Sequence, residues 1–181
     1  DVSGAHFNPA VTVAITCSGR EKIQPKEAGL YIVTQLAAGF LAAMTYEAVH
    51  SVVTFRLGPG EGFGWAEVAT AEIAFTFVLC FVVLCVATTE VNPAPELTGF
   101  IIGMCVTVGG LAIGGISGGS LNPAVSIGIA SARKILGGGS FMPGIAYFAF
   151  ELVGGAVAAG VFQAAYPGEF ASKEEKLPLQ A

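Results

Sequence analysis

The chain has 181 residues, 54% hydrophobic and 12% charged, whereas soluble domains carry about 25% charged residues. Its formal charge is −5 with eight Lys and Arg, too little clustered positive charge for a nucleic-acid partner. Asp1 is the one aspartate and His6 and His50 the two histidines, so an Asp/His/Ser hydrolase, an Asp dyad or an Asp-rich Mg²⁺ site lacks its residues, and an integral membrane protein without enzymatic activity remains.

The chain opens on Ser3-Gly4-Ala5-His6-Phe7, too rich in glycine and serine to be helical, and continues into an apolar stretch, Asn8–Thr16. That stretch is about half the ~20 residues a crossing helix needs. It starts Asn8-Pro9-Ala10, and proline suits a first helical position because its missing N–H has no partner there anyway. A short helix beginning at the motif is predicted. Two full spans follow, from about Lys26 to His50 and from about Trp65 to Thr89. Asn92-Pro93-Ala94 sits in a Pro/Glu-rich connection and predicts a plain turn. A third span, marginal in length, runs from about Leu97 to Ile113. A second short segment, Asn122–Ala132, lies behind Ser117-Gly118-Gly119-Ser120-Leu121 and again starts Asn-Pro-Ala. The fourth span runs from about Phe141 to Tyr166. Residues 1–165 read as one domain, and 166–181 as a polar, poorly ordered, cytoplasmic tail. Cys17, Cys80, Cys85 and Cys105 lie in apolar runs without a CxxC or a neighbouring histidine at ligand spacing, so neither a metal nor a cofactor is expected.

The chain repeats itself. Ser3–Ile15 aligns with Ser117–Ile129, identical at seven of thirteen positions. Gln35-Leu36, Gly39 and Ala42-Ala43 match Glu151-Leu152, Gly155 and Ala158-Ala159. Three crossings separate the copies, an odd number, so they enter from opposite faces. That plan is an inverted repeat, which places a site at the bilayer midplane. Non-helical backbone at that depth is tolerated only where it is buried in protein or lines a watery cavity. Arg20, Lys22, Lys26, Lys173 and Lys176 fall on one side and Arg56, Arg133 and Lys134 on the other, which favours the first side as cytoplasmic.

Two short helices starting at the midplane direct their positive dipole ends, about +0.5 charge each, at one another. Asn8 and Asn122 add amide N–H donors at the same place. A water accepting from both amides turns its hydrogens outward along the path, which interrupts a proton wire, while the positive field repels cations. The carbonyls of Gly4–Phe7 and Gly118–Leu121 replace lost water contacts. The pattern points to a conduit for small neutral molecules.

These paired SGxxxNPA loops in register with an inverted repeat resemble the aquaporin (major intrinsic protein) family. The resemblance implies an all-α integral membrane fold, here with four full transmembrane helices and two re-entrant NPA half-helices. The family places two further spans before the first NPA loop, so the first two helices of its six-span plan are expected to be absent from this chain. It also implies a lipid bilayer and a homotetramer as surroundings, with water and small neutral solutes (urea, ammonia, hydrogen peroxide, glycerol) as cargo. The alternative is a truncated, non-conducting relative serving as a structural subunit of a larger membrane complex. Pore residues carried over are Asn8, Pro9, Ala10, Asn122, Pro123 and Ala124, with pore-lining backbone at Gly4, Ala5, His6, Gly118 and Ser120. The filter positions are Gly110, where strict water channels tend to have histidine, Gly119, and Val125, where most members have arginine. This combination resembles the wide filter of plant tonoplast channels. Ser126, Ala130 and Tyr147-Phe148 resemble the water-type branch instead.

Polar residues at membrane depth are functional candidates. By resemblance Glu72 accepts hydrogen bonds from re-entrant-loop N–H groups, a scaffold role, and Gln35 is structural. Glu47 is expected to snorkel toward an interface. Glu151 stands where the family usually has proline and gains no function from the resemblance. Ala38, Gly39, Ala42, Gly154, Gly155, Ala159 and Gly160 read as helix-crossing contacts.

Overall fold

The computed structural model describes residues 3–50, 54–90 and 94–170. Its helices are α1 (Pro9–Cys17), α2 (Pro25–His50), α3 (Trp65–Ala87), α4 (Thr98–Ser117), α5 (Pro123–Gly137) and α6 (Met142–Ala165), with 3₁₀ turns at Pro95–Leu97 and Pro167–Phe170. No strand occurs among the described residues. Four helical stretches, α2, α3, α6 and α4 with the turn before it, are long and apolar enough to cross a bilayer. With nine residues α1 is too short, and α5 has fifteen. Both short helices start at the proline of an Asn-Pro-Ala motif.

Two helices run further than their apolar patterns suggest. α4 continues past Ile113 to Ser117 and ends at Gly118, which takes φ +90° and donates its N–H to Gly114 at 3.0 Å. α5 continues past Ala132 to Gly137 and ends at Gly138, with φ +64°. A glycine able to adopt the left-handed conformation terminates each helix, not the end of the apolar run.

The core is built around the short helices. Val11 and Ile15 of α1 pack with Leu79, Val83 and Leu84 of α3, Ile113 of α4, Leu121, and Phe162 of α6. Leu57, Val68, Ile129 and Tyr147 form a second, smaller cluster.

Close helix crossings explain three of the small residues. A Cβ on Gly39 of α2 would collide with the Ala124 carbonyl oxygen, and one on Gly155 of α6 would lie 2.7 Å from the Ala10 carbonyl oxygen. Gly154 stands equally tight against Ile73 of α3, at 2.6 Å. Absence of side chains lets the backbones approach. Ala38 and Ala42 depart from the expectation: both are exposed and line a cavity. Gly160 has open space around it, so it makes no crossing contact among the described residues.

Two polar expectations change. Glu47 does not reach out to an interface but is buried, and its Oε1 accepts the Thr54 N–H at 2.9 Å. The tail begins as ordered structure. Tyr166 stacks on Phe162 (centroids 4.7 Å apart), and the Arg20 guanidinium lies 4.3 Å over the Phe162 ring. Arg20 also pairs with Glu169 at 3.1 Å, which holds the 3₁₀ turn down. Residues 171–181 lie outside the described residues, as do Asn92 and Pro93 of the third Asn-Pro-Ala.

Candidate functional site

Each motif asparagine has two jobs, set by the two ends of its amide. Asn8 caps α1: its Oδ1 accepts the Ala10 N–H at 2.8 Å. Asn122 caps α5 in the same way, from Ala124 at 3.0 Å. A side-chain oxygen at this position satisfies one of the orphan donors of a helix start. With the oxygen held, the NH₂ end points across to the other motif. Asn8 Nδ2 donates to the Leu121 carbonyl at 2.8 Å, and Asn122 Nδ2 donates to the Phe7 carbonyl at 3.0 Å. The two helix starts are thereby tied together by a reciprocal pair of bonds.

This arrangement refines the sequence expectation. Each amide has two hydrogens, and one is committed to the opposite loop. One N–H on each asparagine remains for another acceptor. The carbonyls of Phe7 and Leu121 likewise each carry a cross-loop bond, so among the described residues Gly4, Ala5, His6 and Gly118, Gly119, Ser120 hold the uncommitted ones.

The loops leading to the motifs are backbone copies of the same hand. Ala5 and Phe7 take φ +51° and +52°, and Gly119 and Leu121 take +67° and +55°. Left-handed backbone costs a non-glycine residue roughly 1–2 kcal/mol. Such residues persist because surrounding bonds hold them.

In the second loop those bonds come from Glu72, which is fully buried on α3. Its Oε1 accepts from Ser117 Oγ at 2.7 Å and from the Ser120 N–H at 3.1 Å, and its Oε2 accepts the Leu121 N–H at 2.9 Å. In the first loop Tyr31 Oη accepts the Gly4 N–H at 2.7 Å. The His6 ring lies 4.8 Å from that of Tyr31, with Nδ1 3.1 Å from Thr12 Oγ1. Gln35 Nε2 donates to the same Thr12 oxygen at 3.1 Å.

Two cavities flank the asparagine pair, of about 770 and 810 Å³. Ala5, His6, Phe7 and Asn122 line both. The first runs along α2 and includes Ala124 and Val125, whose side chain is 40% exposed. The second runs between α3 and α4 and includes Gly4 and Asn8. Gly110, Gly118, Gly119 and Ser120 line neither. Gly110 and Gly119 nonetheless touch, since a Cβ on Gly119 would lie 3.0 Å from the Gly110 Cα. A Cβ on Gly110 would meet open space.

The sequence reading used Tyr147 and Ser126 only as marks of the water-type branch, and their bonding roles escaped it, as did that of Thr12. Tyr147 is buried, accepts the Gly58 N–H at 3.1 Å and donates to the Ser117 carbonyl, so it pins the start of the second loop. Thr12 and Ser126, at matching places in the repeat, each bond to a polar residue on the neighbouring long helix. A hydroxyl conserved in type between the two copies is the signal that points to them. Among the described residues no cluster of three His, Cys, Asp or Glu could hold a metal.

The family model described as "Major intrinsic protein" matches residues 1–131 and, a second time, 100–179. The "Probable aquaporin NIP-type" of Nicotiana alata is 36% identical over 143 residues, covering 76% of this chain and 50% of its own length. The "Probable aquaporin TIP-type" of Medicago truncatula is 34% identical over an alignment of 188 residues, covering 98% of this chain and 68% of its own. The aquaglyceroporin from Plasmodium falciparum, known from its X-ray structure, superposes with a TM-score of 0.78 at 19% identity, over 94% of this chain and 77% of its own. It shares the fold. The chain spans about half the length of the first curated relatives it matches, 50% and 44%.

Proposed function

The chain belongs to the major intrinsic protein family, and on that premise we propose that it is the pore-forming part of a passive channel for water and small neutral solutes. One observation carries this reading. Two helix starts meet end to end, each capped by an asparagine whose amide crosses to the other loop at 2.8 and 3.0 Å. Facing positive dipole ends disfavour a cation there. The spare amide N–H on each asparagine offers a passing water two donors, so its own hydrogens turn outward and no continuous proton wire forms. Between the lobes of cavity on either side, a neutral molecule loses little and a charged one loses much.

The solute range follows from the filter positions. Gly110, Gly119 and Val125 carry neither a side-chain donor nor a charge, and among the described residues no side chain fills the space beside Gly110. Urea, ammonia, hydrogen peroxide and glycerol are therefore proposed alongside water, with a homotetramer in the bilayer as the working assembly. Residues 1–165 are taken as the channel domain, with the C-terminus on the cytoplasmic side.

The test is osmotic. Proteoliposomes holding the protein as it occurs natively are challenged with sucrose and then urea, with a pH-sensitive dye inside. Fast shrinkage, urea-driven reswelling and an unchanged internal pH support the reading. A structural subunit passes nothing at verified incorporation, and that result replaces the channel with the subunit.

A further inference from the structure

Glu151 is a buried carboxyl beside the site that the conduction reading leaves unused. It lies on α6 with no exposure, and its Oε1 accepts from Ser126 Oγ at 2.8 Å. Among the described residues its Oε2 is buried with no hydrogen-bond partner. A buried carboxyl is costly, and a well-packed apolar residue is commonly at least as stable in such a place. Stability alone therefore gives no account of it.

The inverted repeat supplies one. Positions 6, 12 and 35 match positions 120, 126 and 151. In the first half the chain of contacts runs Gln35 to Thr12 at 3.1 Å and Thr12 to His6 at 3.1 Å. In the second it runs Glu151 to Ser126 at 2.8 Å and Ser126 to Ser120 at 2.6 Å. Each is a polar residue on a long helix, a hydroxyl on the half-helix and a side chain on the loop before it. Among the described residues, the Ser126–Glu151 bond is also the one side-chain hydrogen bond between α5 and α6.

The second relay touches both filter positions that flank it. Ser126 follows Val125, and adjacent residues point about 100° apart on a helix. Ser126 faces α6 and is fully buried, whereas Val125 opens into the cavity. Holding Ser126 therefore fixes the rotation of α5 that aims Val125. Ser120 follows Gly119, which packs on Gly110. We propose that Glu151 is a positioning residue for solute selectivity, acting through Ser126 and Ser120 on Val125 and Gly119. The proposal rests on the channel reading above.

The experiment compares the full-length native protein with Glu151→Gln, Glu151→Ala, Ser126→Ala and the double alanine variant. The first readout is the urea-to-water permeability ratio in proteoliposomes. The second is hydrogen exchange at the amides of residues 118–127. Glutamine retains a carbonyl acceptor for Ser126, so Glu151→Gln keeps the native ratio. Glu151→Ala and Ser126→Ala shift it in one direction by roughly tenfold, the scale on which one methylene's width is discriminated at an apolar site. The double variant shifts it no further, because both changes break one bond. Exchange over 118–127 quickens in the alanine variants alone. A native ratio in Ser126→Ala, or an equal shift in Glu151→Gln and Glu151→Ala, overturns the proposal. Should the native protein pass neither water nor urea, the channel reading fails, and the exchange pattern alone decides whether Glu151 positions the loop.

Discussion

Gly39 of α2 packs on the carbonyl of Ala124, the last residue of the second motif, while its repeat partner Gly155 packs on Ala10, the last residue of the first. The polar residue one turn earlier in each helix reaches the other way. Gln35 bonds Thr12 of the first half-helix and Glu151 bonds Ser126 of the second. Each long helix thus grips its own half-helix with a side chain and the opposite one with bare backbone. The backbone contacts join the two halves, while the side-chain bonds hold each half-helix to the long helix of its own half.

Gly39→Ala and Gly155→Ala are accordingly expected to destabilise the protein by about 1–3 kcal/mol each, the usual cost of overpacking. Gly160→Ala, where nothing lies within 4 Å, is expected to be neutral or to stabilise by up to about 1 kcal/mol through helix propensity. Thermal unfolding midpoints in detergent check the contrast. Equal midpoints for Gly155→Ala and Gly160→Ala contradict it.

Glu72→Gln replaces an acceptor-only group with one that places an NH₂ against either the Ser120 or the Leu121 N–H. Two donors then face each other without water, at a cost of about 1–3 kcal/mol for the unsatisfied pair. Lower stability, faster amide exchange at Ser120 and Leu121 and reduced water permeability are expected together. Unchanged exchange at those two amides would show that the carboxylate does not hold the loop.

Gly110→His is expected to narrow the path, because its side chain enters open space. Urea and glycerol permeability fall while water permeability is largely kept. Measuring all three fluxes on one liposome preparation separates narrowing from a general loss of active protein, which lowers them in parallel.

Glu169→Gln removes the charge paired with Arg20 at 3.1 Å. The 3₁₀ turn at Pro167–Phe170 then loosens, and limited proteolysis cuts there faster. Water flux stays at its native value, since no contact of Glu169 reaches the asparagine pair. Native proteolysis rates in this variant would mean that Tyr166 stacking on Phe162 holds the turn alone.

The parts of the fold legible in the sequence are those with a local cause. Long apolar runs become spanning helices, and Pro9 and Pro123 start the short ones because proline fits that position whatever surrounds it. The ends of α4 and α5 were less legible, since several glycines precede Gly118 and only the three-dimensional course decides which turns left-handed. The same holds for the cross-loop bonds. Asn8 and Asn122 announce amide donors, but that each commits one hydrogen to Leu121 or Phe7 depends on residues 113 and 115 positions away. Arg20 reads as an interfacial cation until Glu169, 149 residues later, folds back onto it. Glu151 was the least legible of all, because its partner Ser126 gains meaning only beside the Thr12–Gln35 pair that it mirrors.

If the two crossed asparagine amides are the working centre of a channel, removing one donor stops conduction. Asn122→Asp is the sharpest variant for this, because the aspartate oxygen still caps Ala124 while the donor to the Phe7 carbonyl is gone. Water flux into sucrose is measured in proteoliposomes of the native protein and of this variant at matched incorporation. Fast shrinkage is expected for the native protein, and a large loss for Asn122→Asp at near-native helix content. Native flux in the variant, or no flux above empty liposomes in the native protein, would contradict it.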